Sequence, residues 1–334
     1  MDAANSLFID RSQANRTLLE ILQSAFRLPR ARALRTLAEK KVRICGGVCV
    51  DPRRRVKLGQ HIQVFSPAPT RRVAPKVKGR QDAAPCKSPD KDLAGQIVVR
   101  YLDEQIVIVV KPPGLTTVRH AGEIETLGKK ARKFLPTTLV DLLPAVLSRL
   151  KKKSKGRIRA VHRLDKDTSG LLVLARTPEA ESHLGKQFRA HTIGRRYLAL
   201  VRGKARGARI ETRLVADRGD GRRGSGPDGQ LAITQVRVVE TLGDFTLVEC
   251  ELETGRTHQV RIHLGEAGTP LCGERVYDRP LHGKPLPDTS GADRPMLHAA
   301  YLALDHPATG KRMDWHAAMP EDMRDVVNGL EAPR

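Results

Sequence analysis

"HRLDKDTSGLLVLART" runs from His162 to Thr177. Arg163, Asp165, Lys166 and Asp167 crowd together, a Thr-Ser-Gly turn follows, and the chain then enters an apolar run. That run, Leu171–Thr177, is bounded by Gly170 and Pro178 and reads as a strand. Nothing in a buried strand asks for charges at its mouth, so the loop reads as a site presented by a rigid element. Arginines nearby would hold a carboxylate ionised. An ionised aspartate there can serve as nucleophile or base. A turn aspartate paired to Arg163 is the competing reading of the same residues.

The flanking sequence gives this strand partners. "IVVRYLDEQIVIVVKPPG" (97–114) holds two β-rich runs around Asp103-Glu104. "TTLVDLLPAVLSRL" (137–150) is helix-like, with Pro144 expected to kink or interrupt it. "PEAESHLGKQFRAH" is an amphipathic helix opening on Pro178. "RRYLALVRG", "ITQVRVVETL" and "FTLVECELET" continue as β-rich runs. In "ETGRTHQVRIH" (253–263), Arg256, His258, Arg261 and His263 alternate in part with Val260 and Ile262, which predicts a strand polar on one face. "DRGDGRRGSGPDGQ" (217–230) is a polar Gly-rich loop. Many strands with a few helices, not in strict alternation, predict an α+β fold. Its large mixed, mostly antiparallel sheet is flanked by helices and loops.

Ahead of this lies a smaller unit, residues 14–66. Leu18, Ile21, Leu22, Ala25 and Phe26 recur at helical spacing. Pro29 opens a second helix with Ala33, Leu34, Leu37 and Ala38 as its buried face, and "KVRICGGVCVDP" reads as two short strands around a Gly-Gly turn. Residues 67–95, rich in Pro, Ala, Lys and Ser, read as a flexible basic linker, leaving 96–330 as the main domain. The basic run at 149–159 reads as a loop open to an RNA contact.

Composition narrows the partners. The 334 residues carry 60 Lys and Arg against 37 Asp and Glu, a net charge of +23, which favours a polyanion and above all nucleic acid. No apolar run reaches the ~18 residues of a spanning helix, so no membrane partner is expected. Five scattered cysteines fit reduced thiols and a cytoplasmic protein. Cys45 and Cys49 read as strand-packing residues, and His258 and His263 as hydrogen-bonding or RNA-contact histidines, because neither pair has the further ligands a zinc site needs. No phosphate-loop or dinucleotide motif is present, and no cofactor or metal is expected.

Several motifs are shared with one family. "HRLDKDTSGLLVLART" resembles the signature of the ribosomal large-subunit type of pseudouridine synthase. "KPPGLTTV" (111–118), "RRYLALVRG" (195–203), "GQLAITQVRVVE" (229–240), "TGRTHQVRIHL" (254–264) and "MLHAAYLALDHP" (296–307) resemble its other motifs in the same order. Gln230 stands where the family usually has Lys. The resemblance implies isomerisation of uridine to pseudouridine in structured RNA. Large-subunit rRNA is the expected substrate, with tRNA or a non-catalytic RNA-binding role as alternatives, and a monomer is expected. It implies Asp165 as the catalytic aspartate and Arg261 as its basic partner. Tyr197 becomes the tyrosine that stacks on uracil, and Arg163 the residue that fills the gap left by the flipped nucleotide. His162, Thr168, Arg256 and His258 are the further substrate-binding candidates.

The basic helix-hairpin of 14–66 is similar to the alpha-L RNA-binding domain, which implies Arg30, Arg32, Arg35, Lys40 and Arg43 as RNA contacts. Cys45 stands where that domain usually has a polar residue, often Asn. The stretch 119–136 is longer than the family's usual link and reads as an insertion.

Overall fold

The computed structural model describes residues 4–10, 13–26, 28, 33–34, 36–37, 39, 41–45, 47–52, 54–65, 89–119, 137–150, 157–218 and 222–331. The chain forms two compact units, one within residues 1–85 and one built from Cys86–His120 with Thr137–Arg334. Arg30, Arg32, Arg35, Lys40, most of the 119–136 stretch and the middle of the 149–159 run lie outside the described residues.

In the first unit, strands β1 (Ala4–Phe8), β2 (Val42–Ile44), β3 (Gly47–Val48) and β4 (His61–Phe65) form an antiparallel sheet in the order β1-β4-β2-β3. β1 lies ahead of the 14–66 stretch, so the sheet reaches further toward the N-terminus than the helical spacing indicates. Helix α1 (Leu18–Ser24) starts at a reciprocal cap: Glu20 N–H donates to Thr17 Oγ1, and Thr17 N–H donates to the Glu20 carboxylate. It packs Leu18, Ile21 and Leu22, all fully buried, against the sheet core. Burying each such side chain contributes about 1.5–3 kcal/mol.

Ala33 and Leu37 are helical and buried as expected, but Leu34 is exposed, one position off the buried stripe. The β2–β3 turn places Cys45 in the left-handed region at φ 50°. Asn tolerates that conformation better than Cys, which gives the alpha-L preference for Asn a backbone reason. Cys49 packs into the core, whereas Cys45 is exposed at the turn, contrary to the strand-packing reading.

The second unit opens with helix α2 (Pro89–Gln96), inside the stretch read as linker; Ala94 of this helix and the adjoining Ile97 are buried in the main core. Eleven strands then form one sheet. β5 (Val98–Leu102), β6 (Ile106–Lys111), β7 (Arg159–Ala160) and β8 (Ser169–Ala175) build one side. β9 (Gly194–Arg202), β10 (Ala208–Val215), β11 (Gly224–Ser225), β12 (Gln230–Leu242) and β13 (Phe245–Leu252) build the other. β14 (Leu297–Asp305), carrying β15 (Arg312–His316) at its end, joins the halves between β9 and β8.

Every pairing is antiparallel except β8 with β14. At that seam Gly170 faces Ala299, and a Cβ on Gly170 would collide with the Ala299 carbonyl oxygen, so only glycine fits there.

The apolar run of β8 is explained by two cores. Leu172 and Leu174 join Val107 and Val109 of β6 on one face, packed by helix α3 (Leu139–Arg149). Leu171, Val173 and Ala175 join Ile106 and Ile108 on the other, packed by helix α4 (Pro178–Arg189). A strand buried on both faces loses the alternation of a half-exposed one. α3 continues through Pro144 and is not interrupted there.

"QVRIHLGE" is helix α5 (Gln259–Glu266), not the expected strand. Val260, Ile262, His263, Leu264 and Gly265 are all buried, so the helix is enclosed nearly all round and its apolar spacing carries no helical stripe. Helix α6 spans Glu321–Glu331.

Candidate active site

The charged loop between β7 and β8 opens onto a cleft of about 460 Å³. His162, Arg163, Asp165, Thr168, Tyr197, Arg256, His258 and Arg261, the eight substrate and catalytic candidates of this unit, all line it. The loop is held through its backbone. Thr117 Oγ1 donates to Leu164 O at 2.9 Å and accepts from Leu164 N–H at 3.2 Å. Lys111, fully buried at the end of β6, donates to Pro112 O, Leu115 O and Lys166 O at 2.8–3.0 Å. Three carbonyls match the three N–H groups of an ammonium. Burial pulls the Lys111 pKa down to about 7, against the opposing pull of Asp167 and Asp165. Arg294 donates to Asp167 O at 3.1 Å, and Thr168 N–H closes the turn on Asp165 O at 3.2 Å.

Asp165 thus projects from a fixed loop toward α5. Its Oδ2 accepts from Arg261 at 3.4 Å, and its Oδ1 lies 3.8 Å from His258 Nε2. Arg261 is itself held by Glu274 in a bidentate pair, Nε to Oε2 at 2.7 Å and Nη2 to Oε1 at 2.9 Å. The Glu274 side chain is wholly buried, and the backbone N–H groups of Arg275, Val276 and Tyr277 also donate to it. Burial alone would raise the Glu274 pKa, but its hydrogen bonds and charge contact with Arg261 hold it below the ordinary value. Arg261 is raised in turn, because Glu274 and Asp165 outweigh its desolvation. His258 caps α5 in a left-handed conformation, φ 59°, and its Nδ1 lies 2.8 Å from the Tyr277 hydroxyl. Burial lowers the His258 pKa despite Asp165, so the ring is neutral at pH 7.

Tyr197 is buried in the middle of β9, between Cys250 of β13 and Ala299 of β14. Burial raises its pKa, with Arg195 opposing and Asp165 reinforcing, so its hydroxyl stays protonated. His162 accepts from Val173 N–H at 3.1 Å, which ties the loop to β8 and leaves its ring face beside Phe188. Burial drives its pKa to about 3. Arg163 is exposed at the mouth, and Arg256 is pinned through Nε to Leu231 O at 2.9 Å. His263 points away from the cleft and is spent on Thr234 and Thr212. In the other unit, Arg43 sits on β2 with its side chain exposed.

Lys111, Thr117, Glu274, Tyr277 and Arg294 support the site although sequence reasoning does not single them out. Lys111 and Thr117 do lie inside "KPPGLTTV". The other three stand in loop stretches with no periodicity to mark them.

A model of the RNA pseudouridylate synthase family matches residues 105–266. The chain is 37% identical over 257 residues to "Ribosomal large subunit pseudouridine synthase D" of Zymomonas mobilis, covering 72% of this chain and 74% of that protein. It is 28% identical over 315 residues to the protein of the same name from Escherichia coli, covering 91% and 86%. A solved structure, "Human RNA Pseudouridylate Synthase Domain Containing 4", shares the fold with a TM-score of 0.56 at 21% identity, over 72% of this chain and 95% of that one. The chain belongs to the RNA pseudouridylate synthase family, and its activity is the isomerisation of uridine to pseudouridine in RNA.

Proposed function

We propose that this enzyme modifies large-subunit rRNA, as a cytoplasmic monomer, with Asp165, Arg261 and Tyr197 as its reacting centre. The observation that carries the site assignment is the convergence of Asp165 and Arg261, 3.4 Å apart, in a cleft that Tyr197 also lines. The reaction breaks the N1–C1′ bond of a uridine, turns the uracil over, and joins C5 to C1′. The electron pair of the broken bond leaves with uracil and returns from C5. C5 loses a proton and N1 gains one, so the product is an isomer and no oxidant is needed. An ionised Asp165 serves by attacking C1′ or by taking a proton from C2′. Tyr197 stacks on the uracil and assists removal of the C5 proton. His258, 3.8 Å from the Asp165 carboxylate, and Thr168, which closes the turn beneath it, line the site for the substrate.

A uridine in folded RNA must leave its stack to enter such a cleft. Arg163, exposed at the mouth, fills the gap it leaves, and Arg256 and His162 line the passage. The names of the bacterial relatives support rRNA as substrate, and the net charge of +23 supports a polyanion. The first unit supplies affinity and choice of RNA through its basic helix and hairpin, with Arg43 at the exposed face of β2. Mapping of pseudouridine in rRNA and tRNA from cells with and without the protein is the test. Sites lost only from tRNA would overturn the rRNA assignment.

A further inference from the structure

The wall of the cleft formed by β9 holds a cation that the steps assigned to Asp165, Arg261 and Tyr197 leave unused. Arg195 stands two residues before Tyr197 on that strand, on the same face and roughly 7 Å along it. It is only 8% exposed and lines the cleft. Among the described residues its side chain forms no hydrogen bond and no ion pair, and its Nε is buried without a partner. The Phe188 ring lies 5.6 Å from the guanidinium carbon. Room for it is built in: a Cβ on Gly255 would lie 2.5 Å from Arg195 Nη1. Two other inward-facing arginines of this unit are well supplied with acceptors. Arg261 has Glu274, and Arg202 donates to the carbonyls of Leu271, Leu286 and Glu274. A desolvated guanidinium without an acceptor is costly, and proteins keep one where a ligand supplies the acceptor.

We infer that Arg195 is a catalytic residue that donates to a carbonyl oxygen of the bound uracil and stabilises the negative charge the base carries between bond cleavage and reattachment. The inference rests on the roles proposed for Asp165 and Tyr197. Asp165, Tyr197 and Arg195 line one cleft, with Arg195 and Tyr197 on the same face of β9. A uracil stacked on Tyr197 with C1′ toward Asp165 turns its far edge to Arg195. An RNA phosphate is the weaker candidate, because the backbone stays at the mouth, where Arg163 is exposed, whereas Arg195 is enclosed. The geometry of uracil adds a reason. Turning the ring over about its N3–C6 axis exchanges N1 with C5 and O2 with O4. A donor that holds one carbonyl before the turn therefore meets the other after it, and the same contact serves both halves of the reaction.

The test uses the full chain and an rRNA transcript, with Arg195→Met and Arg195→Lys beside the parent. Arg195→Met should slow single-turnover isomerisation at saturating RNA by about 10²–10³-fold, the usual loss when one donor to a developing oxyanion is removed. RNA affinity should change less than about threefold, and Arg195→Lys should recover part of the rate. Without RNA, Arg195→Met should melt higher, by about 2–4 °C, because a buried unpaired charge is gone. Transcripts carrying 2-thiouridine or 4-thiouridine should slow the parent but not slow Arg195→Met further, since the contact they weaken is already missing. An unimpaired rate at saturation, a lower melting temperature, or thio effects that add fully to the mutation would each overturn the proposal. A parent that isomerises neither rRNA nor tRNA would instead overturn the substrate reading, and the melting comparison would still decide whether Arg195 is an unpaired buried charge.

Discussion

The two walls of the cleft each contain an inward-facing arginine, and they treat it in opposite ways. On the α5 wall, Arg261 is enclosed by a bidentate carboxylate, and that carboxylate is enclosed by three backbone N–H groups. On the β9 wall, Arg195 has a ring face and no acceptor among the described residues. The first arrangement is complete before any RNA arrives and fixes the direction from which Asp165 is approached. The second is incomplete by one acceptor, and the missing acceptor is what a substrate brings. A cleft built this way is rigid where it must aim and unsatisfied where it must bind.

Asp165 stands between these walls, and removing its charge has the largest expected effect. Asp165→Asn should abolish isomerisation, a loss of at least about 10³-fold by analogy with other nucleophile deletions. RNA affinity should hardly change, because phosphate contacts dominate it. Pseudouridine yield and filter binding on one transcript measure both, and Asp167→Asn, whose backbone oxygen meets Arg294 and whose carboxylate acts on Lys111 only through its charge, should remain active. An active Asp165→Asn would remove the centre of the comparison.

Glu274→Gln converts the paired wall into an unpaired one. Stability should fall by about 3 kcal/mol at neutral pH, as when one partner of a buried pair is lost. Glu274 is held below its ordinary pKa in the folded chain. The stability it contributes is therefore full above about pH 4.5 and is lost as pH falls through the folded value. The gap in denaturation midpoint between parent and variant should close in acid. A gap that persists below that range would mean the pair is not what the variant removes.

Tyr197→Phe keeps the ring of the β9 wall and deletes its hydroxyl. Turnover should drop by about 10²-fold, the lower range for a lost proton-transfer group, with affinity changed by less than the ~1–3 kcal/mol of a lost stacking ring. Tyr197→Leu should lose both. Equal turnover in Tyr197→Phe and the parent would reassign proton removal to another group, Asp165 first.

The smallest change leaves both walls untouched. A chain beginning at Lys87 keeps α2, whose Ala94 is buried in the main core, and drops the first unit. It should bind RNA about tenfold more weakly, with a shallower dependence on salt because fewer counterions are released. An unchanged salt slope would show that the first unit does not touch the RNA backbone.

How much of the fold and the site is legible in the sequence follows from the physics of each part. β8 is plain because burial on both faces leaves a continuous apolar run, and Asp165 because a charged cluster at such a strand has few structural uses. α5 misleads because a helix enclosed nearly all round has no polar stripe, and Val260, Arg261, Ile262 and His263 then mimic an alternation. Glu274 gives no signal: a carboxylate in an irregular loop is ordinary until its partner, 13 residues earlier, is seen across it. Arg195 lies inside the "RRYLALVRG" motif and still does not stand out, since a sequence does not show the absence of a partner.

The seam between β8 and β14 has a consequence for how the chain is made. Ser169 and His298, bonded at 2.9 Å, are 129 residues apart. Parallel neighbours of high sequence separation form late, because loop closure precedes any gain from pairing. During synthesis, β8 and its catalytic loop emerge well before the strand that flanks them on the β9 side. Until Leu297–Asp305 leaves the ribosome, one edge of a strand buried at every position is uncovered. The nascent enzyme is therefore expected to be both inactive and prone to aggregation until Asp305 has been translated.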